Sequence, residues 1–174
     1  MVDKGLVTDQ MVLTVGYDIE NLTDPARRAK YHGAVETDHY GRQIPKQAHG
    51  SINLDGHTSS TRKIMCAVSE LFDRIVDKNL LVRRMYVVAN HVLPEADAPK
   101  KNDGAVQLDL FTDYAAEEEK QKAEDAALER ERKIQKAALA IKKKYGKNAI
   151  LKAMNLEEGA TAKDRNAQIG GHKA

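Results

Sequence analysis

Residues 58–75 of the chain read TSSTRKIMCAVSELFDRI. The hydroxyl residues that open this stretch are favoured at the N-cap of a helix, where a side-chain oxygen accepts a hydrogen bond from a backbone N–H. The apolar residues that follow recur at helical spacing: Ile64, Met65, Val68, Leu71, Phe72 and Ile75. The pattern therefore predicts a helix of about residues 59–77 with one buried stripe.

Apolar, β-branched stretches on both sides of this helix predict strands. Met11–Tyr17 and Ser51–Leu54 precede the helix, and Leu80–His91 follows it. Between the first two strands, Val35–Lys46 predicts a hairpin or an ordered loop. The order strand, strand, helix, strand predicts an α+β fold, a small antiparallel sheet with one helix packed on it. Because one helix covers such a sheet thinly, we expect a further packing element outside this chain.

The composition excludes several classes of protein. The chain has 174 residues, of which 31% are charged and 5% aromatic, which is too polar for one compact core of that length. No apolar run approaches the roughly 18 residues that cross a bilayer, and the first residues lack a signal-peptide pattern. Cys66 is the single cysteine, which excludes a disulfide framework and fits a reducing compartment. We therefore expect a cytoplasmic protein with no membrane partner.

The second part of the chain differs in texture from the first. A linker composition rich in Pro, Asp and Gly spans residues 94–104, and an acidic stretch and then a basic one follow. Residues 113–144 favour a helix that stops at Gly146. The predicted segments are a folded part (1–95), a linker (96–106), a short peptide (107–111), a charged helical tail (112–157) and a flexible C-terminus (158–174).

The short peptide after the linker resembles the pentapeptide, Gln-Leu-x-Leu-Phe, by which bacterial replication proteins bind the sliding clamp. A glutamine amide and a Leu-Phe pair suit a groove with one polar end and one apolar pocket. The alternative is the apolar start of the next helix, docked on the folded part. The candidate clamp-binding residues are Gln107, Leu108, Asp109, Leu110 and Phe111.

A second set of residues suits contacts to a DNA backbone. Hydroxyls at a helix start leave backbone N–H groups and the positive end of the helix dipole facing the preceding space. Bases near them favour phosphate without reading sequence. The alternative is ordinary capping and surface charge. Lys46 and His49 precede the strand that begins at Ser51. The candidate DNA-binding residues are Lys46, Thr58, Ser59, Ser60, Thr61, Arg62, Lys63, Arg83 and Arg84.

No motif in the chain predicts catalysis or a metal site. The histidines lack HxxxH or HxH spacing, and there is no Gly-rich phosphate loop and no Gly-x-Ser-x-Gly elbow. We therefore expect no catalytic residue, no metal site and no cofactor in this chain.

The chain resembles the C-terminal little finger domain and tail of Y-family (translesion) DNA polymerases, of the ImpB/MucB/SamB type found in Gram-positive bacteria. The resemblance rests on Leu13–Tyr17, Thr58–Arg62, Leu81–Val87, Lys143–Lys152, Gly159–Asn166 and Gln168–Ala174. It implies a part that grips template and primer backbones during translesion synthesis and DNA repair. It also implies a peptide that tethers the enzyme to the sliding clamp.

The departures from that family define what the resemblance leaves out. In the family the little finger runs β-α-β-β-α-β, so this chain would begin inside it, without the first strand and helix. The palm domain and its Ser-x-Asp-Glu carboxylates are not in the sequence, and Mg²⁺ is expected only with them. Two alternatives stay open: a non-catalytic clamp-binding regulator, and a structural adaptor whose 113–145 helix pairs with another helix.

Overall fold

The computed structural model of the chain describes residues 1–99, 114–169 and 172–173. They form two compact units, with the division between residues 106 and 107. The elements of the first unit, in chain order, are a 3-10 turn at Val2–Lys4, β1 (Leu6–Tyr17), α1 (Glu20–Thr23), α2 (Pro25–Arg28), β2 (Val35–Thr37), β3 (Gln43–Pro45), β4 (Ala48–Thr58), α3 (Thr61–Ile75), β5 (Val82–Asn90), β6 (Leu93–Pro94) and a 3-10 turn at Glu95–Asp97.

The main sheet is antiparallel and has β1 at its centre. β4 and β5 lie on its two sides, and the short β6 pairs with the start of β1. In the register, Leu13 lies between Gly50 of β4 and Val87 of β5. The predicted combination of a small antiparallel sheet and helices is confirmed. The three predicted strands are present, and β1 and β4 extend well beyond their predicted bounds.

The helix α3 covers one face of this sheet. Leu13, Val15 and Tyr17 of β1 form the core with Leu71 of α3 and with Val76, which caps the end of the helix. Leu13 and Leu71 are fully buried. Because alternate residues of a strand share a face, the odd-numbered residues of β1 supply this core.

Gly50 lets α3 approach β4 closely. A Cβ atom at this position would lie 3.1 Å from Leu71 Cδ1 and 3.3 Å from Ile75 Cγ2. Those distances are shorter than ordinary carbon contacts, so a larger residue would push the helix away from the strand.

The helix α3 does not cover β5, as we expect when a single helix packs on the sheet. On the face opposite α3, Tyr86 and Val88 are 49% and 48% exposed. On the face of α3, Met85 and Val87, which pair with the core residues Val15 and Leu13 of β1, are 47% and 49% exposed. A face that packs against α3 on β1 and β4 thus continues onto β5 without cover.

The second unit is built around one long helix. Its elements are α4 (Tyr114–Tyr145), a 3-10 turn at Ala153–Leu156, α5 (Ala162–Asn166) and the paired strands β7 (Gln168–Ile169) and β8 (His172–Lys173). The predicted stop is confirmed, since Gly146 has φ +95°. The helix ends there, so residues 146–157 are not part of it.

Ion pairs between residues four apart stabilise α4 on its exposed surface. Lys122 Nζ lies 2.6 Å from Glu118 Oε1, and Lys133 Nζ lies 2.7 Å from Glu129 Oε1. Such exposed pairs contribute little each, because water and salt screen them. In the described residues, no helix has both the length and the apolar character that a membrane span needs.

Candidate nucleic-acid interface

The face of the sheet opposite α3 carries a row of polar and aromatic side chains. In the register, Thr14 of β1 lies between His49 of β4 and Tyr86 of β5. Thr14 Oγ1 and His49 Nδ1 are 2.8 Å apart, which is a hydrogen-bond distance. The guanidinium of Arg84 lies over the Tyr86 ring, 5.5 Å from its centroid. We call Thr14, His49, Arg84 and Tyr86 the open-face row.

Three amide side chains extend the same face towards the other end of the sheet. Gln10 Nε2 donates to Asn53 Oδ1 at 2.8 Å, and Asn90 Nδ2 donates to Gln10 Oε1 at 2.9 Å. Each amide carries two donors and two acceptor lone pairs, so one or two internal bonds do not exhaust it. The open face is therefore polar over most of its length.

A small groove at one end of the open face brings several basic residues together. It has a volume of about 90 Å³ and lies between the β2–β3 hairpin, the end of β1 and the start of β5. Its lining includes Arg42, Gln47, Arg83 and Arg84. The arginines come from separate segments of the chain, and only folding places them in one groove.

Two of these arginines are paired with carboxylates. Arg42 Nη2 lies 2.7 Å from Asp38 Oδ2, and Arg83 Nη1 lies 3.3 Å from Asp18 Oδ2. The hydrogen bond from Arg42 lowers the pKa of Asp38 below its ordinary value. The side chain of Arg84 packs along Gly16, where an added Cβ would lie 3.1 Å from Arg84 Cγ.

The predicted DNA-binding residues do not form one cluster. Thr58 pairs with Thr8 of β1, and Arg84 pairs with Gly16 at the other end of that strand. Eight residues of a strand span about 26 Å. The helix-start group, which comprises Thr58, Ser59, Ser60, Thr61, Arg62 and Lys63, is therefore far from Arg83 and Arg84. Lys46 is exposed and lies near the arginine end, two residues before the start of β4.

Two hydroxyls of the helix-start group make the helix cap. Ser60 Oγ accepts a hydrogen bond from the Lys63 N–H at 3.2 Å, and Thr58 Oγ1 accepts one from the Ser60 N–H at 3.0 Å. Ser60 is 7% exposed. Helix capping, the alternative to phosphate binding, is thus present at these two residues. Thr61 and Arg62 are exposed.

The candidate clamp-binding residues Gln107, Leu108, Asp109, Leu110 and Phe111 lie outside the described residues. Their proposed role rests on the sequence alone.

Sequence reasoning missed several residues of the open face. The sequence predicts Thr14 and Tyr86 only as residues of apolar strands. It gives no signal for the amides Gln10, Asn53 and Asn90. The alternation of residues along β5 places Arg84 and Tyr86 on one face, and that signal was available. The register that brings Thr14 beside Tyr86 was not.

Within the described parts of the chain, no group of three or more His, Cys, Asp or Glu side chains is arranged to hold a metal ion. Asp9 Oδ1 accepts a hydrogen bond from His91 Nδ1 at 2.8 Å, and His57 Nε2 lies 3.7 Å from Asp9 Oδ2. Cys66 is exposed on α3.

No protein-family model matches the chain, and no curated protein or solved structure matches it either.

Proposed function

We propose that the open face of the sheet binds the sugar-phosphate backbone of DNA. The observation that carries this proposal is the open-face row, in which a guanidinium, an exposed aromatic ring and hydrogen-bonding groups share one surface that α3 leaves uncovered. Cations and small polar groups are the usual protein contacts to phosphate and sugar. Arg84 supplies the charge, and Thr14 and His49 supply short polar contacts beside it.

Binding of this kind is sequence-blind. The row has no set of side chains that would pair in a bidentate way with particular base edges, which is how sequence is read in the major groove. The affinity then comes mainly from counterion release, and it falls steeply as the salt concentration rises. Lys46 would extend the positive surface at one end, near the groove in which Arg42 and Arg83 are paired with Asp38 and Asp18.

We further propose that the chain is the DNA-binding and clamp-tethering C-terminal part of a Y-family DNA polymerase that acts in translesion synthesis. Support comes from the resemblance of the folded part and the tail, and from the pentapeptide Gln107–Phe111 after a linker. The open face would grip DNA while the pentapeptide binds the sliding clamp. The polymerase reaction itself belongs to carboxylates that this sequence does not contain.

One observation favours a second candidate, a helical adaptor. Ile134, Ile141 and Tyr145 recur at helical spacing on α4 and are 59%, 37% and 66% exposed. Apolar side chains on one side of a helix can pair with a partner helix. Since they span fewer than two heptads, the pairing would be weak. Replacement of Ile134 and Ile141 by Glu would abolish it and leave DNA binding unchanged.

The test of the DNA proposal is a salt titration of the full chain with fluorescent duplexes of two unrelated sequences. Both duplexes should bind with the same affinity. Replacing Arg83 and Arg84 by Ala should flatten the slope of log affinity against log salt by about 1 for each lost phosphate contact. Lys78→Ala is the matched control, because it removes the same kind of charge from the turn after α3, where Lys78 pairs with Asp73 at 2.7 Å.

An unchanged slope in the double variant would remove the arginine end from the interface. If the slope flattens only when Arg62 and Lys63 are replaced by Ala, the DNA lies at the start of α3 and the open-face row is not the binding site.

A further inference from the structure

The outer edge of β5 is open for strand pairing. In the part of the chain that the structure describes, the main sheet ends at β5, which pairs with β1 on its inner side. The strand is nine residues long and contains no proline. Its charges, Arg83 and Arg84, lie at one end, and apolar residues fill its centre. A long edge with an apolar centre is a template for another strand.

The opposite edge of the sheet is different. On β4, the Arg74 guanidinium of α3 donates to the Ser51 carbonyl at 3.1 Å and so covers part of that edge. The β4 strand also contains Gly56 at φ +80°, and its register with β1 shifts between Thr8 and Gln10. An edge that is irregular and partly covered pairs poorly. In the described residues, the register of β5 with β1 shifts at the start of the strand, between Gly16 and Tyr17, and is regular from Arg84 to Asn90. Of the two edges of the main sheet, that of β5 is therefore the more regular.

We propose that two copies of this chain associate through antiparallel pairing of β5 with β5, about a two-fold axis at Tyr86. Tyr86 is the midpoint of Val82–Asn90, so this register sets residues 84–88, in the regular part of the strand, opposite each other in the two copies. Met85 then faces Val87 of the second copy, on the side of α3. Each strand edge is its own complement in this arrangement, as an isologous interface requires.

The same register keeps the positive charges apart. Arg84 lies opposite Val88 of the second copy, and Arg83 lies opposite Ala89. Like charges directly opposite each other destabilise a strand pair, and a register centred on Arg84 would create that conflict. The two-fold axis is perpendicular to the sheet, so the β4–β1–β5 sheets join into one and both copies of α3 lie on the same face.

The size of this interface sets the expected strength. Stable interfaces use about 20–30 residues from each partner, whereas this one uses the nine residues of β5 and their flanks. The association should therefore be weak and concentration-dependent. It does not depend on DNA binding, and its test requires no DNA.

Disulfide trapping tests the register directly. In a Cys66→Ser background, Tyr86→Cys places two thiols opposite each other across the axis, with Cα atoms about 4.5–5.5 Å apart. A disulfide forms at that separation. Val82→Cys is the matched control on the same strand, because its two copies would be about 26 Å apart. Ser51→Cys is the control on the other edge. Mild oxidation of the full chain should yield a covalent dimer from Tyr86→Cys alone.

Sedimentation of the unmodified chain over a dilution series gives the second readout. Its mean mass should rise towards that of a dimer with concentration. Tyr86→Lys, which sets two ammonium groups on the axis, should stay monomeric with an unchanged far-UV circular dichroism spectrum. A mass that stays monomeric throughout, trapping through Ser51→Cys, or equal trapping through Val82→Cys would each overturn the proposal.

Discussion

Asn21 holds the turn after β1 to the segment that precedes β5. This buried side chain donates from Nδ2 to the Asp18 and Leu81 carbonyls at 2.9 and 3.0 Å, and its Oδ1 accepts from the Leu81 N–H at 2.9 Å. The two carbonyls also accept backbone hydrogen bonds, from the Asn21 and Asp18 N–H groups. The Leu81 N–H is therefore the group that depends most on the side chain.

Replacement of Asn21 by Ala should lower the free energy of unfolding by about 2 kcal/mol, because a buried backbone donor loses its acceptor. Asn79→Ala is the control, since Asn79 is exposed and bonds only locally to Asp77. Its effect should stay within about 0.5 kcal/mol. Chemical denaturation of both variants measures the difference, and equal effects would show that Asn21 has no special role.

We expect the stability of the folded chain to depend on pH through the carboxyl group of Asp9. The hydrogen bond with His91 is the main cause that lowers the pKa of Asp9 below its ordinary value of 3.8, and the charge of His57 adds to it. A carboxyl group whose pKa is lower in the folded state stabilises that state above its ordinary pKa. That stabilisation is lost as the pH falls through the lowered value.

Replacement of Asp9 by Asn should therefore reduce the melting temperature at pH 6 and have a progressively smaller effect as the pH falls below about 4. His91→Asn should act in the same direction, and Asn tolerates the φ of +50° that His91 adopts. Thermal melts between pH 2 and pH 7 provide the measurement. A constant difference across that range would rule out the Asp9 charge as the cause.

At the scale of elements, α3 and its cap illustrate how one residue can have a structural or a binding role. Ser60→Ala removes the acceptor of the Lys63 N–H and should cost about 1 kcal/mol of stability. Because the Ser60 side chain is buried, the DNA affinity of the folded protein should not change. The neighbour Ser59→Ala is the control for stability. A loss of DNA affinity without a loss of stability would instead support the phosphate-binding role of Ser60.

The elements themselves could be predicted because their signals are local. The stripe from Ile64 to Ile75 marks α3, and the β-branched run from Met11 to Tyr17 marks β1. The pairing of β1 between β4 and β5 could not be predicted, because a register depends on side chains far apart in sequence. Arg84 could be recognised as a candidate from its charge alone. Thr14 and Tyr86 could not, because only the strand register places them beside it. Asn21 gave no signal, since its partner Leu81 is 60 residues away.

At the scale of the whole molecule, the two surfaces that we propose for binding, one for DNA and one for the sliding clamp, lie in different segments of the chain. The open-face row and the basic groove belong to the first unit, and the acidic and then basic helix α4 belongs to the second. The pentapeptide Gln107–Phe111 lies in sequence between the described parts of these units. If the pentapeptide binds the clamp as we propose, it would raise the effective concentration of the proposed DNA-binding surface near its DNA.

The clamp proposal makes a sharp prediction about Leu110 and Phe111. Both side chains should enter one apolar pocket of the sliding clamp, with Gln107 held by hydrogen bonds of its amide. Burial of a Leu and a Phe contributes roughly 1.5–3 kcal/mol each, and the ordering of the peptide opposes binding. The dissociation constant should then be on the order of micromolar, which corresponds to a binding free energy of about −8 kcal/mol. Replacement of both residues by Ala should cost about 3 kcal/mol or more and abolish detectable binding.

The measurement is a titration of purified bacterial sliding clamp with a peptide of residues 104–114, repeated with the full chain. Asp109→Ser is the matched control, because Asp109 occupies the variable position of the motif, and it should change the affinity by less than about threefold. Since a free peptide cannot dock on the folded part, binding by the peptide separates clamp recognition from the alternative of an apolar helix start. If the double variant binds as tightly as the parent peptide, Leu110 and Phe111 do not enter a clamp pocket, and the clamp-binding proposal fails.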